Sequence, residues 1–420
     1  MKQFKVASNL AWMLAERGLQ IGAGIGIVAM LARGLGPEGF AHFQYAQAVV
    51  YVAASVALLC GAEVVIPRLV ANPEPRAQHR LLIHAFGLRF VAGVFGYLLM
   101  CVFLVVTQQS SDFWLPALIL GIAILLREPF GTVTAWMQAH TTTRPNTLFN
   151  VASLTVKVGG TSILFALGIR NVPAYAVVFS VEAITLAALL AAFYLARAPR
   201  ERTAHDPQLT RELLSSGVLF WVSFICMMAS RRIDQLMLKP FVPLTDLGAY
   251  AASMQILDNF VMLATILSAG LAPVYVYAQP TLKQARQNVL RIAGGMAGIG
   301  VIGGVLIALS AHWVVHLLYG AAFVRAVNLL QLAALASALV FVDVALTLLP
   351  IHLRQPRLVA IKWGLALIAT LIVDVVAIPR IGTYGAILGY AMANLLSVLF
   401  GLAVWMRYRN DEPAAQRVSA

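Results

Sequence analysis

The residues able to do chemistry in this 420-residue chain are charges placed where charge is costly. Arg17, Arg89, Arg127, Lys157, Arg231 and Arg232 lie well inside long apolar windows, as do Glu16, Glu128, Glu182, Asp234, Asp258, Asp343 and Asp374. An ionised side chain at the bilayer centre costs at least ~2.5 kcal/mol on insertion scales, so a set this large is tolerable only facing protein or water. Guanidinium groups make bidentate contacts with phosphate, which makes the six cations candidates to bind a polyanionic head group in a cationic cavity. Glu16, Asp234 and Asp258 are candidates for coupling or gating, with a plain salt bridge as the alternative for the two aspartates. For any one of these charges, pairing between helices that only fixes packing is the competing reading. Neighbours such as Glu16 and Arg17 point about 100° apart on a helix and do not neutralise each other. Arg231 and Asp234, three residues apart, can.

Other residue types suggest less. Lys362 and Arg291 fall near span ends, where snorkelling to the interface accounts for them. Cys60, Cys101 and Cys226 are scattered through apolar windows without metal-ligand spacing, so neither a disulfide framework nor a zinc site is expected. The histidines sit near span ends or in loops. Gly22, Gly24 and Gly26 do not follow a strand and serve close helix packing rather than a nucleotide loop. There is no Walker A sequence, so direct ATP drive by this chain is excluded; no cofactor is expected, and coupling to a proton, to sodium or to no ion is left open by the sequence.

The elements that hold these charges follow from composition. Apolar residues make up 60% of the chain, charged residues 11%, and mean hydropathy is +0.83; a soluble domain carries roughly 25% charged residues. The apolar windows are long enough to cross ~30 Å of hydrocarbon at ~1.5 Å per residue. They predict an all-α polytopic membrane protein with twelve spans: 8–31, 40–66, 81–106, 113–137, 147–169, 172–195, 214–238, 247–277, 289–311, 324–349, 358–378 and 383–406. The first window is too long for a signal-peptide core and is read as a retained span. With both termini in the cytoplasm, only Arg33, Arg170, Lys239, Arg325 and Arg380 of the 30 basic residues fall in segments on the opposite side. That bias supports the orientation. It also explains the net charge of +13 by topology rather than by nucleic-acid binding.

The longest charged linker divides the chain into two sets of six: a bundle at 1–195, a linker at 196–213, a second bundle at 214–406 and a cytoplasmic tail at 407–420. A shift of 207 places Phe40-Ala41-His42-Phe43 on Leu247-Gly248-Ala249-Tyr250. The same shift places Asn9, Glu16 and Gln20 on Ser216, Ser223 and Met227. Both helices then carry a polar stripe on corresponding faces, as in transporters built from parallel repeats.

Several strings carry a family resemblance. LARGLGPEGF (31–40) follows the first span, and RRIDQLMLKPF (231–241) leads into LGAYAASMQI (247–256). LYGAAF (318–323) and IPRIGTYGAILGYAMAN (378–394) come later. In that order the chain resembles the Wzx-type oligosaccharide flippases of the MOP exporter superfamily over nearly its whole length. The resemblance implies two six-helix bundles in a V around a central cavity, in the bacterial inner membrane. It implies movement of an undecaprenyl-pyrophosphate-linked oligosaccharide from the cytoplasmic to the periplasmic leaflet by alternating access, for O-antigen, capsule or exopolysaccharide synthesis. Membrane lipids, a polysaccharide polymerase and a chain-length regulator are the implied partners. The helix 7 aspartate of the family corresponds to Asp234, and Asp258 stands where many members have glutamate.

Rival readings remain open at this level. A cation-coupled multidrug exporter of the same superfamily would prefer an acidic or aromatic cavity. A peptidoglycan-precursor flippase would carry two more helices. A membrane glycosyltransferase or polymerase would need larger outer loops, and a structural partner of an assembly complex would not transport by itself.

Overall fold

The computed structural model describes residues 2–199 and 206–408, with side chains from residue 18 onward, residue 143 excepted. Every regular element among them is helical. The first compact unit, Met1–Met228, contains α1 (Lys2–Ala54), a 3-10 turn (Ser55–Leu58), α2 (Ala62–Ala71), α3 (Pro75–Val106) and α4 (Ser111–Ala139). It continues with α5 (Thr143–Ala166), α6 (Val172–Leu195) and α7 (Pro207–Ser230), whose last two residues lie across the boundary. The second, Ala229–Ala420, contains α8 (Ile233–Leu238), α9 (Leu244–Ala272) with a π turn (Pro273–Tyr277), and α10 (Leu282–Tyr319). It ends with α11 (Ala326–Ala336), α12 (Ala338–Leu346), α13 (Leu348–His352), α14 (Pro356–Ile381) and α15 (Thr383–Arg407).

Eleven helical stretches among the described residues are long and apolar enough to cross a bilayer. The first, residues 18–71, contains the second span expected from the sequence and runs continuously from residues 18–31 of the first. Two helices meet there at Gly36, whose φ of 70° and ψ of 177° only glycine adopts freely, and Pro37 follows it. Proline, which has no N–H to leave unpaired, also stands in the first turns of α3, α6, α7 and α14. The single span expected over 324–349 is three helices. Ser337 Oγ donates to Ala334 O at 2.6 Å and Thr347 Oγ1 to Asp343 O at 2.7 Å at the two joints. Such back-bonding bends a helix.

The boundary between units falls at the end of α7 rather than in the 196–213 linker. Trp221 Nε1 donates to Val56 O at 2.9 Å, and Cys60 Sγ lies 3.4 Å from Leu213 O, so α7 belongs with the first unit. Its neighbours there include a core of Leu69, Leu82, Ala85 and Leu213. The second unit has its own core around Val289, Met296, Phe341 and Leu346. Outer faces are apolar as well: Ile302, Leu306, Leu309, Trp313 and Leu317 are exposed at helical spacing along α10. A soluble helix would place charges on that stripe, whereas acyl chains accept it as it is.

Candidate functional site

In the first unit, the charges on α4, α5 and α6 meet. Glu182 Oε2 lies 3.4 Å from Lys157 Nζ and 3.5 Å from Arg127 Nη1, so one carboxylate serves two cations. The Glu182 side chain is 8% exposed and that of Lys157 18%, but Arg127 remains 51% exposed. Lys157 Nζ also stands 4.2 Å from the centroid of the Phe179 ring. Apolar helix walls hold these groups, and the arrangement leaves positive charge on a guanidinium that is not enclosed.

Arg89 on α3 has a different environment. It is buried, with Nε donating to Leu59 O at 3.1 Å and Nη1 donating to the Glu128 main-chain oxygen at 2.9 Å. The Glu128 and Glu63 carboxylates are within electrostatic reach. Arg89 thus ties α3 to α4 and to the turn before α2 through Nε and Nη1. The side chains of Glu16 and Arg17 lie outside those described.

In the second unit, Arg232 Nη2 pairs with Asp258 Oδ2 at 2.7 Å. Arg231 is exposed. The pairing of Arg231 with Asp234 expected from their spacing is not the one formed, because α7 stops at Ser230 and helical spacing does not run through the turn to α8. Asp234 instead accepts from the Tyr250 hydroxyl at Oδ2 and from the Gln235 amide at Oδ1, 2.7 Å away. Lys362 does not snorkel. It is buried on α14, with Nζ donating to Asp343 Oδ1 and Oδ2 at 3.2 and 2.9 Å and to Thr347 Oγ1 at 2.8 Å. A fixed carboxylate and hydroxyl satisfy the ammonium more fully than a distant interface would. On helix 7 the proposed stripe is partly spent: Ser216 Oγ accepts from Arg68 at 2.9 Å, and Ser223 Oγ donates back to Leu219 O at 2.8 Å.

Asp374 on α14 was among the buried charges read from the sequence but not among the site residues. It is fully buried and neither carboxylate oxygen has a hydrogen-bond partner. Asp234 and Tyr250 are the groups that interact with it electrostatically. Gly385 and Gly389, four apart in the α15 string GTYGAILGYAMAN, mark the close helix approach that encloses Asp374. That spacing was the available signal.

The profile of the family described as polysaccharide biosynthesis protein matches residues 6–279. No curated protein matches the chain by sequence. Among solved structures, the chain is similar to a multidrug resistance MATE family transporter of the MOP superfamily in an inward-facing conformation. The TM-score is 0.75 at 15% identity, over 95% of this chain and 96% of that one. It is similar to the lipid II flippase MurJ in an inward closed conformation, with a TM-score of 0.74 at 11% identity over 94% and 87% of the two chains. A MOP superfamily transporter from Pyrococcus furiosus, for which reverse polarity of the binding pocket suggests a different function, matches with a TM-score of 0.64. Its identity is 14%, over 96% and 95% of the chains. At these identities the likeness is one of fold.

Proposed function

This chain belongs to the polysaccharide biosynthesis protein family, and from that premise we propose that it is a flippase carrying a lipid-linked oligosaccharide between leaflets. The substrate class is an undecaprenyl-pyrophosphate-linked repeat unit, moved from the cytoplasmic to the periplasmic leaflet of a bacterial inner membrane with both chain ends in the cytoplasm. One observation carries the reading: Glu182 is shared between Lys157 and a half-exposed Arg127. Glu182 alone cannot balance both cations, and the half-exposed guanidinium presents paired donors to the phosphate oxygens of a diphosphate. The lipid tail stays in the bilayer while the charged head group passes this site, exposed in turn to each leaflet. Arg89 and Arg232 are positioning residues in this scheme, since each is held by contacts within the fold.

Direction needs a second ligand that binds the two states unequally. Asp374, buried without a donor beside Asp234 and Tyr250, is our candidate to take up a proton or sodium ion. A lone carboxylate in a dry site is tolerable once it is neutral or holds a cation. The same acidic pair supports the second reading, a cation-coupled multidrug exporter.

Vesicles holding the purified protein and a fluorescent undecaprenyl-pyrophosphate-linked oligosaccharide test both. We expect protein-dependent transfer between leaflets, reduced at least about ten-fold by Arg127→Ala, the scale of one lost charged hydrogen bond. Transfer of a cationic dye with none of the lipid-linked sugar would overturn the flippase in favour of the exporter.

A further inference from the structure

We propose that the first unit holds a second anion site, built for a single phosphate group and separate from the Arg127, Lys157 and Glu182 cluster. A cavity of about 260 Å³ lies among the end of α2, the start of α3 and the first turns of α7, with Arg68, Asn72, Gln78, Arg80, Leu209 and Glu212 in its lining. Arg68 is oriented from one side: Nη2 donates to Ser216 Oγ at 2.9 Å and to the Glu212 main-chain oxygen at 3.4 Å. Its Nη1 is buried and has no hydrogen-bond partner. A guanidinium nitrogen kept from water and left without an acceptor is unfavourable, and an anion that draws the guanidinium toward the cavity relieves that cost.

The rest of the lining agrees with that chemistry. Arg80, half exposed, is only loosely paired, 3.9 Å from Asp206 Oδ2, and is available to a stronger anion. Gln78 is already committed, Nε2 donating to Leu69 O at 2.8 Å, and so shapes the cavity without competing for a ligand. Glu212 is the one carboxylate in the lining itself, beside the two arginines. The cavity sits among the ends of apolar helices, and basic pockets between helices at the level of lipid phosphates recognise anionic head groups. The phosphate comes from an anionic phospholipid or from the diphosphate of a lipid-linked substrate. The site stands whether or not the chain is a flippase.

Native mass spectrometry of the full-length protein in detergent, titrated with phosphatidylglycerol and with phosphatidylcholine, tests this. Phosphatidylglycerol should bind about five-fold more tightly, as one added arginine contact predicts. Arg68→Gln should remove the preference and Glu212→Gln should increase it. Thermal unfolding certifies each variant, and Arg80→Gln replaces Arg68→Gln if the latter does not fold. Displacement of phosphatidylglycerol by inorganic pyrophosphate would assign the site to the substrate's diphosphate; retention would assign it to the phospholipid. Equal binding of the two lipids, or a preference that survives in the folded arginine variant, would overturn the site.

Discussion

The carboxylate of Asp374 occupies the space that a side chain on Gly389 would need: a Cβ at Gly389 would overlap Asp374 Oδ1. Helices α14 and α15 form a hairpin through Gly382, at φ 57°, and Asp374 is sealed inside it. Gly389→Ala must therefore push the carboxylate or the helix aside, at a cost of about 1–3 kcal/mol. A lower melting temperature for that variant, largely recovered in Gly389→Ala with Asp374→Ala, is the expected result. Asp374→Asn keeps the shape and removes the charge, so it should fold at least as well as the parent. In vesicles it should lose dependence on an ion gradient, and a gradient response unchanged by Asp374→Asn would remove this residue from coupling.

Lys362 and Asp343 are each 5% exposed and bonded to one another. Removing only the ammonium, in Lys362→Met, strands a buried carboxylate and should destabilise the protein by about 3–5 kcal/mol. Replacing both, as Lys362→Met with Asp343→Leu, should recover most of that loss. Denaturant titration of the two variants in micelles checks the difference.

Glu182 couples Arg127 to Lys157, and their substitutions should not add. In a double-mutant cycle read by vesicle transfer, Arg127→Ala with Lys157→Ala should lose less than the two single changes combined, because each single change also alters how Glu182 holds the other cation. Strict additivity would show that the shared carboxylate is not what links them.

Asp206 caps α7 outside the membrane-spanning segments. The Leu209 and Gln208 amides, each 3.1 Å from Oδ1, and nearby Arg80 hold its carboxyl below the ordinary range. A depressed value in the folded state adds stability above the unfolded value of about 3.9, and this is lost as pH falls through the folded value. Hydrogen-exchange protection in the first turn of α7, taken relative to the unstructured rate at each pH, should fall below about pH 4, and Asp206→Ala should show the reduced protection at every pH.

Much of the fold was legible because the bilayer imposes a simple rule on composition: a span needs a long apolar run, and the runs at 172–195 and 383–406 coincide with α6 and α15 to within a residue. The paired cations were legible only as candidates. Nothing in the spacing of Arg127, Lys157 and Glu182, on three different helices, says that they share one carboxylate. The error over Lys362 has the same origin, since its partner Asp343 is on another helix and hydropathy alone assigns a depth, not a neighbour.

By itself the sequence determined that the chain crosses a membrane many times and that charges are carried within its spans. These are local properties, set by transfer free energy over one helix at a time. Tertiary structure decided which of the charges are satisfied. Arg89 is held by main-chain carbonyls, Lys362 is locked to Asp343, Arg127 keeps an open face and Asp374 is left without a donor. Electrostatic satisfaction depends on distances of a few ångströms between segments far apart in the chain, and only packing sets those distances.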